Sequence, residues 1–253
     1  MSKTATFAPG GYRYIPAVFQ YSGGVAAEPG YKLTRVRFRE PLPLVEAFAA
    51  AERVIKAAGR PLTAFAACEL RSPAPFTEQG FRDFNLIYVG TLEKWGIFDG
   101  KTKANPVARS NVCPPIDPPK VPSMHAFSFT EAAPGAAPSF VVAGSGEAPE
   151  GSGTYAERTI RCGDISPGAM RDKGVWVLGE MERRMGLLGF GWKDTTGVQL
   201  YTVHDIHHFM ADEIARRGAM RHGLTWHFCK PPVIDLEYEM DCRGVESDLV
   251  VAR

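Results

Sequence analysis

The chain of 253 residues has almost no excess charge of either sign: 29 basic residues stand against 28 acidic ones, a formal net charge of +1. That balance leaves no electrostatic footprint for nucleic acid, and no Lys/Arg run marks out an anionic membrane surface. Long apolar runs are missing too. Nowhere do roughly 18 apolar residues follow one another, the length a membrane-spanning helix needs. Met1–Gly11 lacks the charged-then-apolar pattern of a secretory signal. Cysteine is sparse: Cys68, Cys113, Cys162, Cys229 and Cys242 are odd in number, widely scattered and contain no Cys-x-x-Cys pair. Neither a disulfide framework nor a cysteine zinc site follows, and a reducing cytoplasm is the expected location.

What remains is ordinary globular composition, 45% hydrophobic and 23% charged, at a length that suits two domains of about 100–150 residues. The organisation is repetitive. Ala17–Gly24 and Ser139–Gly146 are β-rich runs that both reach Ser-Gly. A helical stripe follows in each half. Leu44, Phe48, Ala51, Val54, Ile55 and Ala58 recur at three- and four-residue steps before Gly59; Val175, Leu178, Met181, Met185 and Leu188 do so before Gly189. Strands are expected at Leu62–Leu70 and Thr195–Val203. Phe76 lies 17 residues after Gly59, and Ile206 lies 17 residues after Gly189. Second helices are expected at Glu78–Trp95 and His207–Arg217. Strand-like runs then close each half: Ser110–Cys113 with Met124–Thr130, and Leu224–Phe228 with Ile234–Cys242.

The order β-α-β-α-β-β therefore occurs twice, joined by the Ala/Pro-rich linker Glu131–Pro138. The expected units are residues 12–131 and 138–246, each an α+β layer with helices on one face of a sheet. The helical stripes are core in this reading, not cofactor boxes. Trp95, Trp176, Trp192 and Trp226 are read as core or interface anchors.

The pattern resembles the Rid (YjgF) family of imine and enamine deaminases, which fold like chorismate mutase. The first half carries Ser22-Gly23, Ala57-Ala58-Gly59 and Pro106-Val107-Ala108-Arg109-Ser110-Asn111-Val112, close to the family's Pro-Ala-Arg-Ser-x-Val motif with one residue inserted. The second carries Ser145-Gly146 and Leu236-Glu237-Tyr238-Glu239, similar to the family's final Val-Glu-Ile-Glu strand. Asn85 and Tyr88 match the family's Asn/Tyr spacing only loosely. The resemblance runs from Ala17 to Val245, weakly in each half.

It implies that Arg109 holds a substrate carboxylate and that Glu237 positions or activates the hydrolytic water. A slip in alignment would transfer that role to Glu239. Ser22, Gly23, Asn85, Asn111, Ser145 and His227 are the implied substrate-binding set. The halves depart from the pattern in complementary ways. His222-Gly223-Leu224-Thr225-Trp226 has no arginine, and Met124–Phe129 has no glutamate, so each copy keeps one half of a site. The resemblance also implies a homotrimer, a pseudo-hexamer of units with clefts between them.

Stretches such as Cys68–Pro73 and His222–Phe228 are similar to deaminases of 2-aminomuconate and its chlorinated relatives. A small dicarboxylate substrate is then expected, with Arg71 or His227 meeting its second carboxylate. The implied chemistry needs no metal or organic cofactor. The alternatives are a general 2-imino acid deaminase and a non-catalytic small-molecule binding or scaffold module, which would need Arg109 but not Glu237. An endoribonuclease is disfavoured by the neutral charge.

Other residues invite sharper readings that the pattern does not support. His204 and His208 are four apart, but His204 falls in the turn before its helix and no zincin motif is completed. Cys113 and Cys229 are read as small buried residues, not nucleophiles. Gly144-Ser145-Gly146 and Gly151-Ser152-Gly153 lack the Gly-Lys-Ser/Thr of a phosphate loop.

Overall fold

The computed structural model describes residues 4–252 and shows a mixed α+β fold built on two sheets. In chain order the strands are β1 (Ala5–Phe7), β2 (Tyr12–Tyr14), β3 (Gly24–Ala27), β4 (Tyr31–Pro43), β5 (Phe65–Arg71), β6 (Ala108–Val112), β7 (Ser123–Ala132), β8 (Phe140–Gly146), β9 (Gly197–Tyr201), β10 (Thr225–His227), β11 (Glu239–Gly244) and β12 (Ser247–Val251). The helices are α1 (Leu44–Ala57), α2 (Glu78–Lys94), α3 (Tyr155–Arg158), α4 (Pro167–Leu188) and α5 (His207–Phe209), the last running into a π-helical turn over Met210–Ala215.

Local chemistry explains where the helices begin and end. Thr77 caps α2 by accepting from the Gly80 amide, and Ser166 caps α4 by accepting from Ala169 with Pro167 in the first turn. Gly59 (φ +68°) and Gly189 (φ +91°) sit in the left-handed region just beyond α1 and α4, where a side chain would be strained. No helix among the described residues is long and apolar enough to cross a membrane.

One sheet has the order β12-β4-β7-β5-β6 and the other β1-β2-β3-β8-β11-β9-β10. Within the first, β7 runs antiparallel to both β4 and β5, and β5 is parallel to β6. Within the second, β11 runs antiparallel to both β8 and β9, and β9 is parallel to β10. Helices α1 and α2 bury Phe48, Ile55, Phe84 and Tyr88 against Phe65 and Phe127 on one sheet. Helix α4 buries Val177, Met181 and Met185 against Val142, Leu200 and Met240 on the other. The opposite faces of the two sheets meet through small side chains, Ala67, Ala108 and Ala143 among them.

Three expectations need correction. Ala17–Gly23 is not a strand; it holds only isolated bridges, Val18–Tyr21 and Ser22–Ala108, and regular pairing starts at Gly24. The first strand of the N-terminal sheet is instead β4, for which the sequence reading had no strand. Its alternation is disguised because Arg35, which the period-2 pattern would place in solvent, is buried between the sheets. Two pairings also cross the expected unit boundary. β3 pairs with β8, so Tyr12–Ala27 belongs to the sheet of the C-terminal half. β12 runs parallel to β4, held there by Arg35, whose guanidinium bonds Glu69 at 2.6 and 2.9 Å and Asp248 at 2.8 Å. At the other end, Ile234–Tyr238 does not join β11, which begins at Glu239.

Candidate active site

At the edge of β6, where the two sheets meet, lies a cavity of about 420 Å³. Its walls are the first turns of α2 (Glu78, Phe81, Arg82), β6 (Arg109, Asn111), the end of β8 (Gly144, Ser145, Gly146) and Leu236 with Glu239. Tyr21 closes one side, and the segment Ala148–Arg158, which carries α3, covers the mouth. The volume is in the range that encloses a small molecule.

Arg109 projects from the edge strand beneath α2 and is 3% exposed. Its guanidinium carbon stands 5.3 Å from the ring centres of Tyr21, Phe81 and Tyr88 and 5.9 Å from that of Phe84. One terminal nitrogen donates to Asn85 Oδ1, and Nε has no partner. Asn111, two residues along on the same face, accepts from Ser72 Oγ at 2.9 Å and leaves its own Nδ2 without a partner. A buried donor without an acceptor costs about 1–3 kcal/mol. A cation in an aromatic cage beside two such donors is the arrangement a carboxylate would complete, since the planar guanidinium bonds it bidentately.

The acid comes from the other half of the chain. Glu239, the first residue of β11, is 4% exposed and lines the cavity, and its carboxyl accepts no hydrogen bond from the described residues. Burial lifts its carboxyl from the ordinary 4.5 to about 8, with Asp241 adding to the rise and Arg109 opposing it. It is therefore largely protonated at neutral pH, a group able to give a proton and then take one back. Space for it depends on Gly144, because a Cβ there would overlap Glu239 Oε1. Ser110 Oγ fixes that backbone, accepting from the Gly144 amide at 3.0 Å while donating to Asp241 at 2.6 Å.

Glu237 lies elsewhere. A period-2 strand would have put Glu237 and Glu239 on one face, but the Glu147 carboxylate accepts from the consecutive amides of Glu237 (2.6 Å) and Tyr238 (3.1 Å). Successive amides of a strand point to opposite sides, so one acceptor for both bends the chain out of the ladder. The Glu237 side chain then turns away, 2.7 Å from His204 Nε2 and 3.7 Å from Lys230 Nζ. Glu147 is itself fully buried against Lys173, 3.2 Å away on α4. Burial raises its carboxyl, while these amides and the Lys173 charge oppose the rise.

The other expected residues divide. Asn111 and Ser145 line the cavity. Asn85 does not, but holds Arg109 from behind, its amide donating to Phe81 O at 2.6 Å. Ser22 and Gly23 also lie off the cavity: Ser22 Oγ donates to Pro106 O at 3.0 Å and the Gly23 amide to Ile15 O at 2.9 Å, which sets the position of Tyr21. Arg71 is buried and His227 half-buried, both against Tyr201. The His227 ring stacks on it at 5.2 Å, and the Arg71 guanidinium lies 5.4 Å above it. Burial first, then Arg71, pushes His227 down to about 4. Neither reaches the cavity to meet a second carboxylate.

His204 and His208 do not converge, since His208 bonds Pro167 O at 2.7 Å. Burial pushes the Cys113 thiol up to about 12, far from a thiolate nucleophile. Sequence reasoning missed Tyr21, Tyr155 and Arg158. The first adjoins the Ser-Gly motif; the other two follow a Gly/Ser-rich stretch with no pattern to mark them.

Comparison with known proteins adds three findings. The family model described as "2-aminomuconate deaminase CnbZ" matches residues 4–249. The 2-amino-5-chloromuconate deaminase of Comamonas testosteroni is 55% identical over 253 residues, covering 99% of this chain and 100% of that one. The crystal structure of a chorismatase superposes with a TM-score of 0.50 at 13% identity, over 88% of this chain and 77% of that one, a likeness of fold alone.

Proposed function

The chain belongs to the 2-aminomuconate deaminase CnbZ family, and on that premise we propose that it hydrolyses 2-aminomuconate or a chlorinated analogue to a 2-oxo acid and ammonia. The observation that carries this reading is the meeting in one cavity of a buried guanidinium, Arg109, whose Nε lacks an acceptor, and a buried carboxyl, Glu239, raised to about 8.

Arg109 and Asn111 hold the carboxylate next to the amine-bearing carbon. Glu239 gives its proton to the enamine carbon, and the C=C pair of electrons becomes the new C–H bond, leaving an iminium. Water adds to the iminium carbon and yields a proton to the Glu239 carboxylate, forming a carbinolamine. Glu239 then protonates the nitrogen, the C–N bond breaks with loss of ammonia, and the hydroxyl proton returns to Glu239 as C=O forms. Enamine and water are consumed, ketone and ammonia are released, and the carboxyl ends as it began. The substrate is already reactive, so positioning supplies much of the acceleration.

The same strand order and directions in β4–β7 and β8–β11 support reading the chain as two diverged copies of one unit. Arg109 then comes from one copy and Glu239 from the other.

The test is ammonia release from freshly generated 2-aminomuconate. The wild type releases it; Glu239→Gln loses at least about 10²-fold in kcat/KM, as expected for loss of general acid–base catalysis; Arg109→Ala loses about 10²-fold or more through loss of the carboxylate's bidentate anchor; Glu237→Gln retains it. Loss in Glu237→Gln with retention in Glu239→Gln would overturn the assignment. No release by the wild type would overturn the substrate.

A further inference from the structure

Arg71 and His227 are withdrawn from the cavity, so recognition of a second carboxylate falls to other cations. Four arginines line the space: Arg82, Arg109, Arg158 and Arg184. Arg184 is already neutralised, with Glu180 at 2.7 Å and Glu150 at 3.4 Å. Arg82, in the first turns of α2, is exposed to solvent. Arg158 differs from both. It stands at the end of α3 on the covering segment, half-buried, and no carboxylate of the described residues pairs with it.

Its guanidinium is nevertheless held in place. Nη1 donates to Pro149 O, Nε donates to Gly153 O at 3.3 Å, and the group lies 4.8 Å over the Tyr155 ring. Carbonyls orient the fork without cancelling its charge, and Nη2 remains for a ligand. The segment that carries it is anchored at both ends. The Tyr155 amide donates to Glu78 on α2 at 2.6 Å, and the Ile160 carbonyl accepts from buried Lys173 at 2.7 Å. The acids on the same walls do not compete for Arg158: Glu78 is engaged by Tyr155, Glu150 by Arg184, and Glu239 lies in the interior beside Gly144.

We propose that Arg158 forms a second carboxylate subsite at the mouth of the cavity, opposite the Arg109–Asn111 subsite, so that the site selects linear dicarboxylates over monocarboxylates. The inference rests on the deaminase reading for the identity of the substrate, but the subsite is testable without turnover.

The test uses unreactive probes, muconate and hexa-2,4-dienoate, which share a carbon chain and differ by one carboxylate. Calorimetry measures both against wild type, Arg158→Gln and Arg158→Lys. One charge-assisted hydrogen-bonded contact corresponds to a preference for muconate of about 10–150-fold. Wild type is expected to show it, Arg158→Gln to reduce the ratio to about one, and Arg158→Lys to restore part. A wild-type ratio near one overturns the subsite. So does a ratio that persists in Arg158→Gln, even if both affinities fall, because that is the mark of a purely structural role. Wild type that prefers muconate yet releases no ammonia from 2-aminomuconate supports the subsite and overturns the deaminase reading alone.

Discussion

Replacing Glu239 with Gln is expected to stabilise the protein while it abolishes activity, and the gain is expected to grow with pH. The carboxyl of Glu239 stands at about 8 in the folded chain against an ordinary value of 4.5. A group raised in this way contributes stability that is fully present below pH 4.5 and is lost as the pH rises through about 8. Each pKa unit corresponds to about 1.4 kcal/mol. The loss thus amounts to about 3 kcal/mol at pH 7 and about 5 kcal/mol above pH 8, a large share of the roughly 5–15 kcal/mol that holds a typical domain together. Glutamine has nearly the same shape and no charge to desolvate, so it escapes the loss. Urea unfolding of both proteins at pH 5.5, 7 and 8.5, with an unchanged denaturant slope, measures the difference. The variant should be the more stable by about 1.4 kcal/mol at pH 5.5, and the midpoints should separate progressively as the pH rises. A difference that stays flat across this range, or wild type the more stable at pH 8.5, refutes the raised carboxyl and the acid–base role drawn from it.

Two further perturbations probe how the site is held. Lys173→Met leaves Glu147 buried without its cation and should cost about 3–5 kcal/mol at pH 7 by urea unfolding. Burial is the largest influence on Glu147 and raises its carboxyl, so this cost should shrink as the pH falls through the carboxyl range, and Lys173→Met combined with Glu147→Gln should recover part of it. Gly144→Ala sets a methyl group where Glu239 Oε1 lies. It should lower kcat by about tenfold or more through displacement of that carboxyl while costing only about 1–3 kcal/mol of stability; steady-state kinetics alongside thermal unfolding separate the two effects.

The parts of the fold that could be read from the sequence are those determined within a few residues. The stripes of α1 and α4 follow from apolar periodicity, and their ends from Gly59 and Gly189, whose positive φ is a local requirement. β4 escaped because its inward face carries a cation rather than an apolar residue. Arg35 is buried only because Glu69, 34 residues on, and Asp248, 213 residues on, converge on it. The pairings of β3 with β8 and of β12 with β4 are equally non-local. The motif singles out Arg109 as a candidate, but not its cage: Tyr21, Phe81, Phe84 and Tyr88 meet around it only through packing.

The choice between Glu237 and Glu239 shows most clearly where local reasoning stops. Two glutamates on alternate positions are equivalent to any rule of strand periodicity. The deciding residue is Glu147, 90 positions upstream of Glu237, whose carboxylate takes two successive amides and ends the ladder one residue before Glu239. That carboxylate is tolerable in the interior because Lys173 neutralises it, and Lys173 in turn reaches Ile160 O at the root of the covering segment. One buried ion pair therefore sets three things together: the end of β8, the start of β11 and the anchorage of α3. Breaking such a pair is expensive because it leaves an uncompensated charge in low dielectric. The same expense makes the pair a rigid reference from which Glu239 is aimed at the space beside Arg109.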